Sequence, residues 1–383
     1  MNVAQAILRG MFLVAKWMGL FPFRFEKSKE NTMIIEDIWS HRSFWKWFTI
    51  ILRLVPVWVN IYTYGLWIMQ AEIVLSVLHY SHLLITTICY LSWIHLQICH
   101  NNELIYLVNQ YLKLYWRVKS LNSRRPARFG GRRELFLIVI SLGCQAQEIV
   151  FLLGLMEWVN NFGGVPYGII SWASFTYVSL ATNMIIRICF IWYLSLSTLY
   201  TDLKEKINFE VQFKVQTHKL DRKANITQRL KKTISIFKKI SYVVTSLQSI
   251  FNAYLFLSLF NSLMYIVVLS YNMIIDLNLF EFWLSSVIIK ILLDVFTLCS
   301  VIDEAVNQFQ CIRLLTLEIL FTDDLKNVNQ TIETFVTHLI LTELNVRPLG
   351  LFNISNKLFL RIFSGVSSYV IFIVQSVLQI RQK

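Results

Sequence analysis

The stretch from Ser364 to Gln382 constrains this chain most. It is apolar and long enough to cross a bilayer, yet Ser364, Ser368, Gln375, Ser376, Gln379 and Gln382 interrupt it at spacings that place most of them on one helical face. Uncompensated polar groups in lipid are costly, so this stripe meets either water or neighbouring helices tied by hydrogen bonds. Six members fit an aqueous path better than a packing contact, and the segment reads as a pore-lining helix.

The rest of the chain agrees with a membrane setting. Of its 383 residues 56% are hydrophobic, 15% aromatic and only 15% charged, which excludes an ordinary soluble domain. Stretches able to span a bilayer of about 30 Å occur at Phe44 to Ile68, Ile73 to Ile98, Leu135 to Met156, Ile169 to Leu199, Tyr242 to Met273, Phe280 to Ile302 and Leu358 to Ile380. The expected fold class is therefore all-α, with seven transmembrane helices.

A net charge of +13 invites a nucleic-acid partner, but its distribution argues against one. Lys and Arg gather in the N-terminal segment, in the second loop (Lys113 to Arg133) and in the fourth (Lys204 to Lys239). Loops one, three and five have none, and the charges beside them are Glu72, Glu157, Asp276 and Glu281. The positive-inside rule then puts the N-terminus in the cytosol and, after seven spans, the C-terminus outside. A G-protein-coupled receptor has the opposite orientation. Cys89, Cys144, Cys189 and Cys299 lie within spans, and Cys99 and Cys311 near cytosolic ends, so no outer disulfide is expected. The acceptor motifs at Asn225, Asn329 and Asn353 fall on the cytosolic side and should stay unglycosylated.

The first twenty residues, broken by Arg9 and Lys16 and lacking a cleavage site, read as an interfacial helix rather than a signal peptide. Pro56 should kink the first span, with Arg53 snorkelling to the inner surface. In the fourth loop Ile226, Leu230, Ile234 and Phe237 form an apolar stripe, as do Val328, Ile332, Phe335 and Leu339 in the sixth. Two amphipathic helices on one side predict a cytosolic helical anchor layer continuous with spans four to seven. No linker or repeat divides the chain. It reads as one domain: a cytosolic segment (1–43), spans one to six (44–302), an anchor region (303–350) and the pore helix (351–383).

Intramembrane charges are rare and point to function. Glu148 and Arg187 each lie about 20 Å from the cytosolic ends of their helices at 1.5 Å per residue, so they either pair or separately face a wet cavity. Lys290 and Asp294, four residues apart, can pair along one helix face. His79 and His82 share a face in span two, but His95 and His100 lie about 20 Å away, too far for one ion, so no metal is expected.

The C-terminal residues also carry a family likeness. Ser368 and Tyr369, then five hydrophobic residues, then Gln375 resemble the closing motif of insect gustatory receptors, which reads Thr-Tyr, five hydrophobic residues, Gln, Phe. Ser368 stands for Thr with the hydroxyl kept, whereas Ser376 stands where that family has an aromatic residue. Arg347 to Phe352 is similar to the family's approach to its last helix, with Gly350 and Phe352 in place, and Gly19 to Phe23 resembles a subgroup grouped with bitter receptors. The resemblance implies a plasma-membrane receptor of gustatory neurons, four subunits around one axis, and a small-molecule tastant.

These readings converge on a ligand-gated, weakly selective cation channel with no cofactor and no catalytic constellation. One seventh helix cannot enclose water, so several copies, or this chain with other gustatory receptor subunits, contribute matching rings. Gln375 is the expected polar ring and Phe372 the hydrophobic constriction, with Ser368, Ser376 and Gln379 continuing the lining. The ligand is expected in the outer half of spans two to six, where His79, Glu148, Trp172, Tyr177, Asn261, Tyr265 and Trp283 are candidates. An aromatic-rich pocket suits hydrophobic bitter compounds, and Glu148 suits a cationic alkaloid or a sugar hydroxyl. The alternatives are a secondary transporter, which should show repeats and broken helices, and a seven-span receptor coupled to intracellular signalling.

Overall fold

The computed structural model describes residues 23–27, 33–37, 43–69, 73–121, 132–163, 165–215, 220–275, 281–321 and 326–381. Its helices are α1 (Ser43–Ile68), α2 (Ile73–Cys99), α3 (Asn101–Leu121), α4 (Arg132–Gly163), α5 (Val165–Val215), α6 (Leu220–Ile275), α7 (Glu281–Phe321), α8 (Lys326–Leu341) and α9 (Asn356–Arg381). Seven of them, α1, α2, α4, α5, α6, α7 and α9, are long and apolar enough to cross a membrane. They fall on the seven stretches read from hydropathy. Helices suit this setting because each satisfies its own backbone where no water can.

The helix of the first span runs through Pro56 without ending. Halfway along α1, Arg53 donates to Gln97 of α2 at 2.5 Å and accepts through its backbone oxygen from Tyr90 at 3.0 Å, so two neighbouring polar groups hold it. Only His100 separates α2 from α3, and it continues the ladder: its N–H donates to Leu96 and its carbonyl accepts from Leu104.

α5 is the centre of the bundle, packed against α1, α4, α6 and α7. At 51 and 56 residues, α5 and α6 are about 75–85 Å long, far more than a bilayer needs. Their surplus turns meet α7 and α8 in the predicted helical layer. Tyr200, Phe237, Phe309 and Phe335, one from each helix, form a buried aromatic knot with ring centroids 5.3–5.9 Å apart. Edge-on and tilted ring pairs of this kind add about 0.5–1.5 kcal/mol beyond the area they bury. Ile234 and Leu339 are buried beside them, whereas the side chains of Ile226, Leu230, Val328 and Ile332 lie outside the described set.

A two-stranded antiparallel hairpin, β1 (Phe23–Lys27) and β2 (Met33–Asp37), precedes α1, with Phe23 opposite Asp37 and Lys27 opposite Met33. It lies along α3. The expected interfacial helix at residues 1–20 lies outside the described residues.

Between α8 and α9 the chain turns through Pro348–Gly350, where Leu349 (φ 50°) and Gly350 (φ 75°) are both left-handed. The turn is pinned by Ile354 N–H donating to Val346 O at 3.0 Å and by Arg347 donating to Asn353 at 2.6 Å. α9 then rises against α6 and α7. Asn356 donates to Asp303 at 2.8 Å, and Phe359 meets Phe296 edge-on at 5.2 Å.

Candidate functional site

Four charges from three helices meet inside the bundle. Glu148 on α4 pairs with Arg187 on α5 and with Lys290 on α7 at 3.1 Å, and Lys290 reaches Asp294 at 3.0 Å. All four side chains are buried. The first alternative for Glu148 and Arg187, a direct pair, is the one observed, and the Lys290–Asp294 pair joins it. Two positive and two negative groups cancel, as buried charges must when water is scarce. Glu148 also accepts from Asn183 at 2.8 Å and from Ser179 at 3.4 Å, so both of its oxygens are engaged.

Asn183 and Ser179 have a second role, since they also line a cavity beside this cluster. Its wall comprises Asn60 of α1, His82 and Thr86 of α2, a stretch of α5 from Phe175 to Asn183, Asn261, Ser262 and Tyr265 of α6, and Ile291 of α7. The space open to the centre of a water molecule is about 30 Å³, enough for roughly two waters. Thr86 donates to Asn261 at 2.8 Å and lies 3.2 Å from His82 Nε2, while the His82 and Tyr265 rings stack at 4.8 Å.

Of the residues expected to meet a ligand, Asn261 and Tyr265 line this cavity. His79 is buried nearby, hydrogen-bonded to Tyr64. Tyr177 turns toward Tyr90, with ring centroids 6.1 Å apart, and Trp172 is half-buried three residues before the lining stretch of α5. Glu148 lies in the charge cluster. The Trp283 side chain lies outside the described set. Sequence reasoning did not place Asn60, His82, Thr86, Ser179 or Asn183 in one pocket with Asn261 and Tyr265. The available signal was Ser179, Thr182 and Asn183, polar at i, i+3 and i+4 within an apolar span.

The last helix stands apart from the others. Only 6% of its apolar window is buried within the chain, against 61% for α5. Phe359, Ile362, Val366, Tyr369 and Ile373 turn toward the bundle, whereas Ser364, Ser368, Ile371, Phe372 and Gln375 are exposed on the other side. Ser376 and Gln379 belong to α9 but their side chains lie outside the described set, as does Gln382. Among the described residues no group of three or more His, Cys, Asp and Glu side chains is arranged to hold a metal ion.

The chain is thus a bundle with a buried, neutralised charge cluster and a final helix that packs on one side only and exposes polar residues on the other. The profile of the 7tm chemosensory receptor family matches residues 8–380. The chain belongs to that family. It is a multi-pass membrane protein of a receptor family, not an enzyme. Putative gustatory receptor 93b of Drosophila melanogaster is 31% identical to it over 393 residues, covering 100% of this chain and 95% of that protein. Putative gustatory receptor 92a of the same species is 30% identical over 400 residues, covering 99% and 96%. The fold matches the insect olfactory receptor OR5 from Machilis hrabei with a TM-score of 0.68 at 14% identity, over 97% of this chain and 98% of that one. The complex of that receptor with eugenol gives 0.67.

Proposed function

We propose that this chemosensory receptor is a gustatory, ligand-gated, weakly selective cation channel, opened by an extracellular small molecule of the bitter class. It acts as a homo- or heterotetramer with other gustatory receptor subunits in the plasma membrane of taste neurons. The carrying observation is the exposure of Ser364, Ser368 and Gln375 on the side of α9 that faces away from α6 and α7. Polar groups so placed need a partner outside their own chain, and copies of α9 around a central axis supply one in water. Gln375 forms the polar ring, Phe372 the constriction one turn away, and Ser368, Ser376 and Gln379 the remaining lining. Basic loops in the cytosol put the C-terminus outside, and Glu72, Glu157, Asp276 and Glu281 raise the cation concentration at the mouth.

The ligand enters the cavity among α1, α2, α5, α6 and α7. A pocket with room for about two waters is far below the 300–1,000 Å³ of a drug-sized site, so binding must expand it. Expansion against Asn183 and Ser179 disturbs their bonds to Glu148, and through Lys290 it bears on α7. α7 carries Phe296 against Phe359 of α9, which gives the pocket a packed route to the pore helix. Occupancy of a similar fold by eugenol supports a small organic ligand.

Cysteine accessibility tests the proposal. A membrane-impermeant thiol reagent added outside should block ligand-evoked current in Ser368→Cys and Gln375→Cys and leave Ile373→Cys untouched. If neither exposed-face cysteine reacts in channels that still reach the surface, the pore assignment fails.

A further inference from the structure

His82 is part of the cavity wall, and one of its ring nitrogens is buried without a partner; the bonds around it assign its chemistry. Asn261 Oδ1 is a carbonyl oxygen, so Thr86 is the donor in their 2.8 Å contact. With its single proton engaged there, the Thr86 oxygen is the acceptor toward His82 Nε2 at 3.2 Å, and Nε2 carries the imidazole proton. Nδ1 of the neutral ring is then a bare lone pair. It is buried and has no hydrogen-bond partner in the protein, and His82 is itself only 6% exposed. A buried acceptor without a donor is costly, and a bound molecule that donates to it recovers that cost.

The surroundings restrict that molecule further. None of the twelve residues lining the cavity is charged. The neighbouring Glu148 is neutralised by Arg187 and Lys290, and its other oxygen accepts from Asn183 and Ser179, so no free anion is presented to a cation. Tyr265, stacked on His82, together with Phe175, Val178 and Ile291 provides flat and apolar walls. We propose that this cavity selects uncharged, flat molecules bearing a hydroxyl or N–H that donates to His82 Nδ1, and discriminates against organic cations. The inference rests on the reading of this cavity as the ligand site, and it replaces Glu148 with His82 as the group that orients the ligand.

Three probes sharing one benzyl group separate the outcomes: benzyl alcohol, benzyl methyl ether and benzyltrimethylammonium. Each is titrated against the purified full-length receptor in lipid nanodiscs, with thermal stabilisation as the readout. The alcohol should bind about tenfold more tightly than the ether, the difference expected for one buried hydrogen bond, and the cation should be weakest. His82→Phe keeps the stacked ring, and should reduce the alcohol to the level of the ether without changing the ether. His82→Gln, which retains an amide oxygen as acceptor, should keep most of the preference. The melting temperature of each unliganded variant reports its folding separately. Equal binding of alcohol and ether, preference for the ether or the cation, or equal weakening of both by His82→Phe overturns the proposal. Ser262→Phe, which fills the cavity, tells the two failures apart. If it abolishes binding while alcohol and ether are equal, only the His82 assignment falls. If it leaves binding intact, or no probe stabilises the wild type, the cavity itself is not the ligand site.

Discussion

Lys290 is held between two carboxylates, Glu148 at 3.1 Å and Asp294 at 3.0 Å, with all three side chains buried. Removing its charge leaves Asp294 buried without a cation. Lys290→Met should therefore destabilise the receptor by about 3–5 kcal/mol, seen as a lower melting temperature of the purified protein. Replacing both partners, Lys290→Met with Asp294→Leu, should recover most of that loss, because no uncompensated ion remains. Failure of the double variant to recover would mean that the pair is not the energetic unit its geometry indicates. Equal depth made a Glu148–Arg187 contact readable in the chain, and i, i+4 spacing did the same for Lys290 and Asp294. The union of the two pairs was not readable. It depends on how α4, α5 and α7 are rotated about their axes, and a span buried on most sides has no apolar stripe to reveal its rotation.

At the scale of elements that contrast becomes general. α9 turns Phe359, Ile362, Val366, Tyr369 and Ile373 toward the bundle and exposes Ser364, Ser368 and Gln375, so the spacing of its polar residues indicated its orientation. α5, buried over 61% of its window, concealed Ser179, Thr182 and Asn183 among residues that are mostly inside. The proposed role of α9 predicts that Phe372→Ala raises basal whole-cell current, whereas Gln375→Ala alters ion preference more than leak. Unchanged leak at normal surface expression would remove Phe372 as the constriction. The turn that leads into α9 offers a second test. Gly350 is at φ 75°, a conformation that costs an L-residue about 1–2 kcal/mol, so Gly350→Ala should lower the melting temperature and shift the ligand response. Ala at Gly365, which is in ordinary helix, should do neither.

For the whole molecule, hydropathy made the seven crossings legible, because span length is set by the bilayer rather than by packing. The helical layer built from the ends of α5, α6 and α7 with α8 was legible for a similar reason: Phe237 and Phe335 sit on stripes that need cover, and they cover each other. The pairing of β1 with β2 was not, since two five-residue strands carry little periodicity of their own. Orientation has a direct test. An Asn-Ala-Thr acceptor inserted between Met69 and Ile73, in a lengthened loop, should acquire a glycan that endoglycosidase removes, while Asn225, Asn329 and Asn353 remain bare. The reverse pattern would invert the protein and remove the cation-attracting mouth.

The exposed amide of Gln375 also bears on how such a receptor is made. A newly synthesised copy without neighbours in the endoplasmic reticulum presents that amide and two hydroxyls to acyl chains, which cannot hydrogen-bond them. Joining other copies removes the penalty. On the proposed pore assignment, the residues that meet permeating ions first act as a label on orphan subunits, and the cell's disposal machinery has a chemical basis for retaining copies that have found no companions.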